Sequence, residues 1–143
     1  MLTLTSGNIT ANYNTVIIAS SGSVSRTSGH VIGNLQKAIS ADGSVSRTFE
    51  VGTGSNYAPI DVTISAVTGS GGGQTLTGSS TSGDHPNIGT SGIDSDKSVN
   101  RYWTLTKGGA WNFSSYNASF TFVDADKDGG TDWTKFLLRK YAS

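Results

Sequence analysis

The chain has 143 residues, with ten Lys plus Arg balancing ten Asp plus Glu and no cysteine. Zero net charge leaves no surplus of cations to displace counterions from phosphates, which argues against nucleic acid as a partner. The missing thiols exclude a disulfide framework, a thiolate metal site and a Cys nucleophile. Charged residues are only 14% of the chain, well under the usual ~25%, so Ser, Thr, Asn and Gly must cover the surface. One Glu stands against nine Asp, a balance that favours turns over helices. No run approaches the ~18 apolar residues of a membrane span. The opening MLTLTSGNIT has neither the basic nor the apolar region of a signal peptide.

The predicted elements are short strands throughout. LTL (Leu2–Leu4) and VII (Val16–Ile18) are apolar runs that precede Ser-Gly turns. The pentamers Ser6–Thr10, Ser21–Ser25 and Asp42–Ser46 repeat a turn-apolar-polar pattern at spacings of 15 and 21, and the hexamer GSVSRT occurs twice, at Gly22–Thr27 and Gly43–Thr48. One such unit cannot bury its apolar side alone but stacked units can, so residues 1–33 read either as β-solenoid-like rungs or as ordinary hairpins. Arg26 and Arg47, one in each hexamer, suit the guarding of strand edges better than a paired anion grip. HVIGNLQKAI (His30–Ile39) reads as a strand bulged at Gly33 and Asn34. Strands follow at Ser44–Val51, at Pro59–Val67 with clean alternation, more weakly at Gln74–Thr81, then at Val99–Thr106, Asn117–Val123 and Asp132–Tyr141. Glycine-rich loops separate them, as in an antiparallel β-sandwich or a partly open barrel. The expected fold is therefore all-β: a single domain over 1–143, with solenoid-like rungs in 1–33 and a β-sandwich in 34–143.

Three stretches carry a resemblance: SGSVSRTSGHVIGNLQK, SVSRTFEVGTGSNYAPIDVTISAVT and STSGDHPNIGTSGIDSDKSVNRYWTLT. With Phe49–Gly52, Tyr57–Pro59 and Asn100–Trp103 as its most specific parts, the chain resembles a repeat domain of large secreted bacterial surface proteins, which are often associated with type IX secretion. The resemblance implies solenoid rungs ahead of a sandwich and a Met1 supplied by cloning. It also implies an extracellular or cell-surface setting in a parent protein, neighbouring domains as partners, and roles in spacing, display and adhesion. It transfers no catalytic residue.

One motif carries chemistry of its own. VDADKDGGTDW places Asp124, Asp126, Asp128 and Asp132 at positions 1, 3, 5 and 9 of a calcium loop, with Gly129 at the bend and Gly130 offering a carbonyl. Lys135 stands where the bidentate Glu belongs, so an outside ligand such as Asp94 or Asp96 is required. The alternative is a solvated hairpin tip. Ca2+ is the one cofactor the sequence suggests. GDHP (Gly83–Pro86) sets Asp84 beside His85, but two histidines in all are too few for a zinc site, and no nucleophile elbow appears. Trp103 reads as core, its N–H needing a partner. Trp111, Tyr116 and Trp133 lie near loops and form a candidate platform for stacking on sugar rings, or else they cap the core. The expected function is a non-catalytic structural or adhesive module; the alternative is a carbohydrate-binding module, calcium-assisted, whose partner would be surface glycans.

Overall fold

A computed structural model describes residues 1–141. It is all-β, its only helical pieces being 3-10 turns of three residues. The strands are β1 (Leu2–Leu4), β2 (Ile9–Ile18), β3 (Val24–Arg26), β4 (Val31–Ala38), β5 (Gly43–Phe49), β6 (Val51–Thr53), β7 (Asn56–Tyr57), β8 (Ile60–Val67), β9 (Thr75–Ser82), β10 (Arg101–Gly108) and β11 (Ser115–Phe120). No helix among the described residues is long and apolar enough to cross a membrane.

The first third pairs in parallel. Leu2 sits beside Val24 and Ile9 beside Val31, a constant offset of 22 residues, and Val31 in turn sits beside Val51. Read at that offset, LTLTSGNI (Leu2–Ile9) lies over VSRTSGHV (Val24–Val31), with Thr-Ser-Gly on Thr-Ser-Gly. The spacing of 15 seen in the sequence aligns turns that do not stack. Parallel pairing brings Gly29 against Gly7 so closely that a Cβ on Gly29 would lie 2.1 Å from the Gly7 carbonyl oxygen. Only a residue with no side chain fits between the two chain segments. The Asn8 amide ties the layers together: its Nδ2 donates to the Gly54 carbonyl and its Oδ1 accepts from the His30 N–H.

Beyond β4 the pairing turns antiparallel. β2 takes one edge of β4, so β6 and β9 share the other: Val31 and Ile32 pair with β6, and Leu35–Ala38 run antiparallel to β9. β10 then pairs along the whole of β9. Residue 33 thus lies inside a strand that both kinds of pairing share, and the bulge expected in this strand falls instead on β2, where residues 11–14 stand opposite Gly33 alone between the Thr10–Ile32 and Thr15–Asn34 pairs. A three-stranded antiparallel sheet, β11-β8-β5, stands apart from this one. One apolar core serves both sheets, including Leu35 and Val31 from β4, Phe49 and Val45 from β5, Ile60, Val62 and Ile64 from β8, and Leu76 from β9. Phe49 packs so tightly on Gly78 of β9 that a Cβ there would come within 2.7 Å of its ring.

The two GSVSRT copies take different partners: the first contributes β3 to a parallel pair, the second most of β5 to the antiparallel sheet. Their arginines do similar work. Arg26 donates to the Ser28 and Gly29 carbonyls and lies 3.4 Å over the Tyr57 ring, while Arg47 donates twice to the Ala38 carbonyl. Both guanidiniums are spent on backbone oxygens of their own protein.

One weakly signalled expectation holds and another changes. The weakly patterned Gln74–Thr81 segment is the strand that joins β4 to β10. The segment Asp132–Tyr141, expected as a closing strand, holds a 3-10 turn at Trp133–Lys135 and no strand thereafter. The Asp132 carboxylate accepts from both the N–H and the hydroxyl of Thr134, winding the chain into a turn just where a strand would start.

Candidate functional site

The densest cluster of charged groups is built on the start of β10. Arg101 shares its strand parity with Trp103 and Leu105 and so points inward, where its side chain is fully enclosed. An unpaired charge there would be strongly unfavourable. Three elements pair it: Nε and Nη2 donate to the two oxygens of Asp126 at 2.8 and 2.9 Å, and Nη1 donates to Thr53 of β6 and Ser80 of β9. The planar fork of arginine suits such two-point pairing with a carboxylate. Asp126 also accepts from the Val123 N–H, and its own carbonyl accepts from the Asn100 N–H.

The rest of the acidic loop is engaged in the same way. Asp128 accepts from the Ser98 N–H and from Asn100 Nδ2, and its N–H donates to the Ser98 carbonyl. The Ser98 N–H and the Asn100 amide hold its carboxyl below the usual carboxylate range. Asp124 pairs with Lys127 at 2.8 Å on the surface, which lowers it too. Asp132 caps the 3-10 turn at Trp133–Lys135 and is lowered by the Thr134 hydroxyl and N–H. The carbonyl drawn into service is that of Gly129, not Gly130, and it accepts from Lys97 Nζ at 2.8 Å.

The segment GIDSDK does lie beside the loop as anticipated, but Lys97 is what it contributes. Asp94 is turned to cap its own 3-10 turn, accepting from the Asp96 N–H. Arg101, Lys97 and Lys127 therefore supply the positive charge that alternating carboxylates require. Among the described residues, no three His, Asp or Glu side chains gather as a metal would need.

The aromatic candidates separate. Trp111 is only 2% exposed and donates its indole N–H to the Gly108 carbonyl, so it belongs to the core. It begins a row that surfaces through Phe113 to Tyr116, with ring centres 5.6 and 6.1 Å apart. Tyr116 and Trp133 are exposed, but Trp133 pairs with none of the three rings of that row. Trp103 finds the partner its N–H needs in the Ala58 carbonyl.

Three polar features escaped sequence reasoning. Lys37 and Glu50 form a buried pair at 2.7 Å on the wall of a cavity of about 300 Å³, with Arg47, Ser20 and Ser23 also lining it. Alternation along β4 could have flagged Lys37, since it shares parity with the buried Val31 and Leu35. The same test flags Arg101 on β10. His30 is 2% exposed and its Nε2 has no hydrogen-bond partner. Burial first, then the Arg26 charge, pull its pKa below the ordinary 6.5. His85, by contrast, lies between the Tyr102 and Tyr141 rings and accepts from the Asn87 N–H, while Asp84 accepts from the Ser98 hydroxyl.

No family model, curated protein or solved structure matches the chain.

Proposed function

We propose that the chain is a non-catalytic structural module of a bacterial extracellular surface protein. In this reading the parallel layers of β1 to β4 with β6 form the end of a β-solenoid, and the antiparallel sheets form a sandwich that closes it. The observation that carries it is the change of pairing at β4, parallel to β2 and β6 yet antiparallel to β9. A parallel stack can be extended indefinitely, whereas an antiparallel neighbour stops its growth on that side and hides the end. Polar investment favours the same role: Arg101, Asp126, Asp128, Arg26 and Arg47 all satisfy other protein groups. The Thr-Ser-Gly layers leave β1 and β2 as the surface on which further layers of a parent protein would stack.

The test is to insert a second copy of Leu2–Ser23 ahead of Leu2. If the layers stack, each added layer shares an interface with the next, so the melting temperature rises and the particle lengthens by about 4.8 Å. An unchanged or lower melting temperature, with the insert cut freely by protease, sinks the proposal. A sugar-binding alternative keeps only Tyr116 and Trp133 of its three candidates, because a ring must be exposed to stack on a sugar. A glycan array run with Tyr116→Ala and Trp133→Ala variants separates the two readings.

A further inference from the structure

The two GSVSRT copies line one cavity from opposite sheets. Val31 pairs with Val51, and its N–H donates to the Glu50 carbonyl at 2.8 Å. Upstream of that contact the layers part: β3 pairs with β1 and β5 with β8, and neither pairs with the other. Ser23 and Val24 of the first copy and Ser46 and Arg47 of the second line the cavity of about 300 Å³ that also holds Lys37 and Glu50. The turn Ala19–Gly22, closed by the Gly22 N–H on the Ala19 carbonyl, contributes Ser20 to the same lining.

The Lys37–Glu50 pair keeps unspent hydrogen-bonding capacity. Each side chain is 10% exposed. Lys37 has three N–H groups and gives one to Glu50 Oε2, while Glu50 Oε1 accepts from no described residue. The Ser20 and Ser23 hydroxyls also bond to no other described residue and stand on the same wall. Buried polar groups are matched by protein, water or ligand, and a half-matched buried ion pair is costly. What the pair lacks therefore describes what the cavity takes.

Chemistry narrows the ligand. No aromatic side chain lines the cavity, so nothing offers a flat ring a stacking partner. Lys37 and Arg47 outnumber Glu50, and no other charged residue lines it. That surplus of positive charge suits one carboxylate, whereas a doubly charged phosphate would be repelled by Glu50. Hydroxyl groups donate and accept at once, as Glu50 Oε1, the spare Lys37 N–H groups and the two serines require. The volume is at the small end of the ~300–1,000 Å³ of ligand pockets, enough for one sugar ring.

We propose that this cavity binds a single sugar acid, its carboxylate toward Arg47 and Lys37 and its hydroxyls on Glu50 Oε1, Ser20 and Ser23. No residue of β1 lines the cavity, and neither does Tyr116 or Trp133. The site is therefore independent both of layers added to β1 and β2 and of any sugar held by those two rings.

The experiment is a backbone-amide NMR titration of the whole chain with D-glucuronate, D-glucose and acetate in parallel. We expect saturable shifts at Ser20, Ser23, Lys37 and Arg47 with glucuronate, and an affinity about fivefold or more above that for glucose or acetate, as one charge-assisted hydrogen bond supplies. Lys37→Met with Glu50→Leu removes both buried charges together and should abolish the shifts. Ser20→Ala with Ser23→Ala alters only exposed positions; it should weaken binding severalfold with the melting temperature unchanged. No saturable shift means a cavity that holds water alone and overturns the proposal. Glucose binding as tightly as glucuronate overturns it, because the carboxylate is then not read. Acetate binding as tightly means an adventitious ion only and overturns it too, as does full binding by both double variants.

Discussion

Arg101 and Asp126 form a two-point guanidinium–carboxylate pair whose arginine is wholly enclosed and whose aspartate side chain is 7% exposed. Through it β6, β9, β10 and the acidic loop converge on one charge. Removing either partner strands the other in the interior, so Asp126→Ala should cost about 3–5 kcal/mol. The apolar pair Arg101→Met with Asp126→Leu should recover most of that loss, because it removes both desolvated charges together. Urea midpoints of the two variants and the parent decide the matter; a single variant as stable as the parent would show that the pair does not hold the loop.

Gly29→Ala tests the parallel layers. Its new methyl would lie 2.1 Å from the Gly7 carbonyl oxygen, and that obstacle is backbone, which cannot swing aside. The expected loss is about 3 kcal/mol, the upper end for overpacking. Gly7→Ala meets no atom within 4 Å, so its cost comes from its positive φ alone and should be smaller. Equal losses at both positions, measured by thermal melting, would argue against the stacking.

The pH dependence should have two limbs. His30 is buried and its pKa lies below 6.5, through burial and then the charge of Arg26. The unfolded chain therefore binds a proton near pH 6.5 that the folded chain refuses. Stability is complete above that pH and falls as the pH drops below it, by up to about 1.4 kcal/mol per unit, until the folded histidine also titrates. His30→Phe should flatten this limb. The second limb belongs to Asp42, Asp124, Asp128 and Asp132, all lowered from 3.8 by hydrogen bonds or, for Asp124, by Lys127. Their contribution is present above pH 3.8 and disappears as acid protonates them. Denaturation curves between pH 3 and 8 would resolve both.

Calcium should leave the melting temperature unchanged. Both Asp126 oxygens are held by Arg101, and Lys97 occupies the Gly129 carbonyl, so an arriving cation must displace positive charge already in place. Melting in millimolar calcium and in EGTA gives the comparison. A native-state ligand must raise stability, and a difference of several degrees would put an ion in the loop.

Alternation of apolar residues made the β class and most of the strands legible, as along Ile60, Val62 and Ile64. What it obscured were positions where a charged residue holds an inward place. Arg101 and Lys37 sit at parities that hydrophobic counting skips, and only the partners Asp126 and Glu50, 25 and 13 residues away, make them tolerable there. The acidic loop was conspicuous for its spacing, but spacing is blind to the lysines and arginine that other segments bring. The 22-residue stacking offset is present in the Thr-Ser-Gly pairs at Thr5–Gly7 and Thr27–Gly29, but the longer GSVSRT match follows a different spacing of 21. Trp111 misled because its neighbours are loop residues, though the core reaches beneath them.

The change of pairing at β4 also sets a timetable. Half of one edge of β4 waits for β9, some 40 residues later, as in the pairing of Gln36 with Thr77. A ribosome making roughly 5–20 residues per second leaves that edge bare for several seconds, and the Arg101–Asp126 lock cannot form until later still. The nascent chain must pass that interval with sticky backbone on display. Its scarcity of long apolar runs and its abundance of serine and glycine keep such an intermediate from seizing up before its final segment arrives.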